Sequence, residues 1–71
     1  MKTVTFTVQH KNVQAFQQLE SSLLMIEGVE RALIDVGDGD IKVEYNEDTT
    51  NVSAVIDTIE RAGTEIKEVL Y

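Results

Sequence analysis

Polar and apolar residues alternate strictly from Thr3 to Val8, which sets Val4, Phe6 and Val8 on one face and the threonines Thr3, Thr5 and Thr7 on the other. A period of two predicts a strand with one side buried. The period then changes: Phe16, Leu19, Leu23 and Ile26 fall at i, i+3, i+7 and i+10, the spacing of one buried helix face. Asn12 precedes this run as an N-cap, because its side-chain oxygen can accept a bond from an otherwise orphaned N–H. Gly28 follows it where a left-handed C′ residue ends a helix. Alternation returns with Ala32, Ile34 and Val36 against Arg31, Leu33 and Asp35, and again with Ile41, Val43 and Tyr45 against Lys42 and Glu44. Between these two strands, Asp38-Gly39 predicts a two-residue type I′ hairpin turn, with positive φ at both central positions. A polar connection over 46–50 leads to Asn51, which caps a second helix with Val52, Val55, Ile56, Ile59 and Ala62 on one face. Gly63 stops that helix, and residues 65–70 form a last strand whose clearest core residue is Ile66.

The order strand, helix, strand, strand, helix, strand places each helix between two strands. Right-handed crossovers then put both helices on the same side of the sheet. The expected fold is α+β, a ferredoxin-like βαββαβ domain: a four-stranded antiparallel sheet with two helices on one face, in a single domain over 1–71. Phe16, Leu19, Leu23, Val55, Ile56 and Ile59 are expected to pack on Val4, Phe6, Ile34 and Val43.

Composition narrows the function more than the fold. Acidic residues outnumber basic ones 13 to 6, a formal net charge of −7. Binding to phosphate backbones depends on Lys and Arg displacing counterions, so DNA, RNA and anionic membranes are excluded as expected partners. The face of the sheet that stacks bases in RNA-recognition domains carries Thr3, Thr5, Thr7, Leu33, Lys42 and Glu44, with no aromatic side chain. No apolar run nears the ~20 residues of a membrane span, and alternating Thr and Val follow Met1 and Lys2 in place of a signal-peptide core. A soluble, cytoplasmic protein is expected. The chain contains no cysteine, so neither a disulfide nor a thiolate ligand is available.

The remaining chemistries lack their residues. Nucleophilic catalysis needs an activated nucleophile and an oriented base, yet Ser21, Ser22 and Ser53 fall on helices and His10 is the only imidazole. Glu44 and Glu47 form no pattern beyond a solvated face, and the four dispersed glycines make no phosphate loop. Asp35, Asp38, Asp40 and Glu44 miss the EF-hand spacing. The expectation is a protein without enzymatic activity and without a cofactor.

The arrangement resembles the heavy-metal-associated domains of small copper chaperones and of the amino-terminal regions of metal-pumping ATPases. Gly28-Val29-Glu30, Asp38-Gly39, Val43-Glu44-Tyr45 and Ala62-Gly63 fall where that family places similar residues. The likeness spans nearly the whole chain, but these are signals of fold, not of chemistry. The family's chemistry is a Gly-Met-x-Cys-x-x-Cys loop after the first strand, whose two thiolates hold soft metals. Counting back from Gly28, the cysteine positions correspond to Asn12 and Ala15, with one residue missing from the loop. Gln9, His10 and Lys11 stand where the Gly-Met pair would lie, and Thr64 stands where the family often has a tyrosine over the metal. The resemblance is therefore to a degenerate member. His10 is a weak candidate ligand, and zinc needs about three or four protein ligands, so no tight Cu(I) or Zn(II) binding is expected.

Apolar residues outside the core stripes supply the other functional lead. Leu24 and Met25 follow Leu23 directly, Val13 begins the same helix, and Leu33 faces away from the helices. Two readings stand: they extend the core at the helix end or are singly exposed, as is ordinary, or they form a partner surface, taken by another protein or by a second copy. The expected function is a non-catalytic binding or accessory module acting through protein contact. The alternative is a divergent heavy-metal-associated domain that binds copper or zinc, or serves in their transport or homeostasis.

Overall fold

The computed structural model describes residues 1–9 and 13–71, including the side chains of all but Val13 and Ala15. The elements are β1 (Lys2–Gln9), α1 (Val13–Leu24), β2 (Val29–Asp35), β3 (Asp40–Tyr45), α2 (Val52–Arg61) and β4 (Glu65–Leu70). The strands form one antiparallel sheet in the order β2-β3-β1-β4. This is the expected βαββαβ architecture, with β1 and β3 in the centre and β2 and β4 as edges. Asn12 and His10 lie outside the described residues, so the expected cap of α1 falls there too.

The buried core is the set that the two periodicities select. Val4, Phe6 and Val8 of β1, Ile41, Val43 and Tyr45 of β3, and Ala32 of β2 meet Phe16, Leu19 and Leu23 of α1 and Val55 and Ile59 of α2. Ile34 and Ile56, expected in the centre, are only partly buried at its margin. Ile34 lies on an edge strand, where one flank has no neighbouring strand to cover it.

Three local expectations are corrected. First, the β2–β3 connection is a four-residue loop, Val36 to Gly39, and Val36 belongs to it and not to the strand. Asp38 has negative φ, so the turn is not type I′; in this loop only Gly39 is left-handed, at φ 72°. Asp35 holds the loop twice: its carbonyl accepts the Gly39 N–H at 2.9 Å, and its Oδ1 accepts the Asp38 N–H at 3.1 Å. That side-chain bond substitutes for the tight turn the dipeptide suggested.

Second, α1 ends at Leu24, four residues before Gly28. Its last turn tightens, with the Met25 and Ile26 N–H groups donating to the Ser22 and Leu23 carbonyls. Gly28, at φ 101°, instead lets the backbone pass close to the β3–α2 loop: a Cβ there would lie 2.9 Å from the Thr49 Cβ. The Gly28 carbonyl accepts the Asn46 N–H at 2.7 Å.

Third, two strands carry an extra residue. Glu30 is unpaired between Val29 and Arg31 of β2, and Lys67 between Ile66 and Glu68 of β4. The second bulge reverses the alternation of β4. Val69 therefore packs toward the core, while Leu70, level with Thr5, is 48% exposed on the open face.

α2 matches its sequence signals. Asn51 is its N-cap, and the Asn51 Oδ1 accepts the Ala54 N–H at 3.0 Å.

Candidate functional site

In the fold this chain resembles, chemistry sits at the end of β1. Here β1 ends at Gln9, which is exposed and paired with Glu65. Residues 10–12 lie outside the described residues, and Ala15 is in the first turn of α1. Thr64, just before β4, is only 4% exposed and so is part of the packed interior. Neither an amide nor a methyl side chain supplies a soft ligand, and the chain has no thiol to bring in from elsewhere. The residues present do not fit a thiolate metal site. Among the described residues, no group of three His, Cys, Asp or Glu side chains is placed to hold a metal ion.

A cavity of about 250 Å³ opens between Val8 and Gln9 of β1, the Val36–Gly39 loop and the bulged Lys67. Its charged side chains are Asp38 and Lys67. It is open and smaller than a typical small-molecule pocket, which runs to about 300 Å³ or more.

The candidate surface residues separate. Leu24 is 47% and Met25 is 86% exposed at the end of α1, whereas Leu33 is 48% exposed on the opposite, open side of the sheet. The side chain of Val13 is outside the described set. The sequence reading missed Met1, Leu70 and Tyr71, all exposed. For Leu70 the cause is the β4 bulge, which no composition signal marks. Leu70 lies in one row across the open face: Leu33, Lys42, Thr5 and Leu70 are successive cross-strand partners.

Two further rows flank this one. Arg31, Glu44 and Thr3 form one, with Arg31 Nη1 3.8 Å from Glu44 Oε2. Asp35, Asp40, Thr7 and Glu68 form the other. Asp35 and Asp40 are directly opposite one another, an arrangement that repels. Among the described residues neither is in an ion pair. The exposed Asp57–Arg61 pair on α2, at 3.0 Å, contributes little, as surface pairs do. No helix among the described residues is long and apolar enough to cross a membrane.

Neither a protein-family model nor a curated protein sequence matches the chain. Solved structures do. The CopZ metallochaperone is 25% identical, with a TM-score of 0.85, over 93% of this chain and 100% of its own. A copper-binding domain from HMA7, a P-type ATPase, is 21% identical with a TM-score of 0.87, over 100% of this chain and 96% of that one. The N-terminal domain of a potential copper-translocating P-type ATPase from Bacillus subtilis, in its Cu(I)-loaded state, is 24% identical with a TM-score of 0.82, covering 92% and 82%. The chain has the fold of the heavy-metal-associated domains and, lacking cysteine altogether, the make-up of a degenerate one.

Proposed function

We propose that this chain is a non-catalytic accessory module that works by protein contact on a metal-chaperone scaffold and carries no thiolate cargo site. One observation carries the reading. The fold of copper-binding domains spans the whole chain, while no cysteine stands anywhere in its 71 residues; on the resemblance, counting back from Gly28, the thiolate positions correspond to Asn12 and Ala15. A two-thiolate site draws its affinity from charge neutralisation and metal–sulfur bonding, and both terms vanish with the sulfurs. What remains to recruit a partner is the surface, where Leu24, Met25, Leu33 and Leu70 stay out of the core.

The scaffold also favours a second reading, because similar structures include copper-binding domains. On that reading the chain belongs to copper or zinc homeostasis, with His10 and oxygen ligands as a site or with docking to a metal transporter as its task.

A competition titration against a chelator at neutral pH separates the two. The natural chain is expected to leave Cu(I) and Zn(II) with the chelator. The double substitution Asn12→Cys with Ala15→Cys is expected to gain measurable binding, held low by the shortened loop. Tight one-to-one binding by the natural chain, lost on His10→Ala, overturns the first reading and establishes the second.

A further inference from the structure

A sheet that ends in strands offers unpaired backbone groups on two edges, and proteins that stay apart blunt both. The edge at β4 is blunted. It is interrupted by the bulge at Lys67, and Lys67-Glu68 puts two charges in its middle. The edge at β2 is blunted only toward its ends, where Glu30, Arg31 and Asp35 lie. Its bulge lies at one end, at Glu30, and the regular stretch that follows has Ala32-Leu33-Ile34 at its centre.

We infer that the outer edge of β2 pairs antiparallel with β2 of a second copy of this chain, about a two-fold axis through Leu33. This rests on the protein-contact reading above and names one occupant for one surface.

The register follows from symmetry. A two-fold normal to the sheet keeps each residue on its own face, so opposed residues share a face and their numbers sum to an even value. Only three such axes pass through the middle of the strand. Centring on Ala32 sets Arg31 against Leu33 and Glu30 against Ile34. Centring on Ile34 sets Leu33 against Asp35. Centring on Leu33 sets Leu33 against Leu33, Ala32 against Ile34, and Arg31 against Asp35 twice over. Of the three, only this register matches apolar with apolar and cation with anion in every pair.

The charges of the isolated chain point the same way. Asp35 confronts Asp40 within the sheet and takes part in no ion pair among the described residues. Arg31 has a 66% exposed side chain whose one carboxylate partner among the described residues, Glu44, is at the long distance of 3.8 Å. A second copy would deliver an arginine to each Asp35 and an acid to each Arg31. The β2 carboxylate keeps its Oδ1 on the Asp38 N–H, which holds it at the edge. The net charge of −7 on each chain opposes association at long range. At physiological salt that repulsion is screened beyond about 8 Å, whereas opposed cross-strand pairs are closer than this. The dimer is therefore weak and reversible.

Sedimentation of the full chain in 0.15 M salt, from ~10 µM to ~1 mM, tests this directly. A reversible monomer–dimer equilibrium is expected. Arg31→Asp alone or Asp35→Arg alone sets like charges opposite at both ends of the pairing and raises the dimer Kd by roughly ten- to a hundredfold. An equimolar mixture of the two variants restores dimerisation, because every 31–35 pair is again of opposite sign; a merely structural effect of either substitution gives no such rescue. Circular dichroism establishes that each variant folds. Should Asp35→Arg not fold, single-cysteine variants keep the test open, since the chain has no other thiol. Leu33→Cys is expected to form an intermolecular disulfide under mild oxidation, because opposed Cα atoms of an antiparallel pair lie within disulfide range, and Glu68→Cys on the other edge is not. A monomer at all concentrations, or a dimer indifferent to the charge variants and to Leu33→Lys, overturns the proposal. Neither outcome touches the accessory-module reading, which falls only to tight metal binding.

Discussion

The two faces of the sheet are built from the same strands and behave as opposites. On the covered face Val4, Phe6, Ile41 and Val43 are wholly buried beneath the helices. On the open face their immediate neighbours Thr3, Thr5, Lys42 and Glu44 are exposed or half-exposed. One residue of displacement separates the two, so a strand that slips by one position loses its core. The covered face holds the domain together and tolerates little change. The open face contributes little to stability, and its side chains are free to serve recognition. In a domain this small, which buries only about 60% of the surface of its unfolded chain, the covered face has no margin to lend.

The sharpest way to break the contrast is to hollow the covered face. Leu19 is fully buried between the helices and the sheet. Leu19→Ala should cost roughly 2–5 kcal/mol, from lost transfer energy and the cavity left behind. That is most of the stability available to a domain of this size. Urea denaturation reports it. A barely shifted midpoint would mean that α1 does not seat on the sheet as described.

The next largest effect lies where the two faces share a support, at Gly39. Its φ of 72° is left-handed, and a Cβ there would come within 2.9 Å of the Val8 carbonyl oxygen. The Gly39 carbonyl also accepts the Val8 N–H at 2.9 Å. Gly39→Val strains the backbone and pushes β1 from the loop together, for a loss of about 2–3 kcal/mol in the same assay. Gly39→Asn, tolerant of the left-handed region, should incur less strain but keep the clash.

These two sites also mark what the sequence made legible. The core could be read because period two and period 3.6 differ cleanly at Val4–Val8 and Phe16–Leu23. The glycine at 39 could be read as a turn, but its turn type could not. The Asp35 side chain that closes a four-residue loop is equally consistent with a strand residue beside a shorter turn. Gly28 misled for a related reason: a glycine after a helical stripe signals either a C′ residue or a close approach, and here the approach is to Thr49. Leu70 was hidden by the bulge at Lys67, which depends on the pairing of β4 with β1 and leaves no local mark. The candidate site was legible only by subtraction. The absence of cysteine is plain in the sequence, whereas the pairing edge of β2 emerges only once the strand order makes it an edge.

A smaller effect is expected at the helix cap. The Asn51 side chain satisfies the Ala54 N–H at 3.0 Å. Asn51→Ala should cost about 1 kcal/mol, and Asn51→Asp or Asn51→Ser should recover most of it, because each still offers an acceptor oxygen. Thermal melts of the three variants order them. Equal melting temperatures for Ala and Ser would mean that the cap contributes nothing measurable to α2.

The smallest effect sharpens the contrast from the other side. Leu33 is as apolar as Leu19 but 48% exposed on the open face. Its partners there are Lys42 across the ladder and, one strand further, Thr5. Leu33→Thr introduces a β-branched strand former and removes only a half-solvated apolar side chain. The isolated chain should therefore stay within about 0.5 kcal/mol of its natural stability. The measurement belongs at low micromolar concentration, where association with a second copy adds nothing to the folded state. A loss as large as that of Leu19→Ala would place Leu33 in the core and collapse the distinction between the faces. A neutral result leaves its exposed apolar surface without a structural role inside the chain, which is the condition a contact residue must meet.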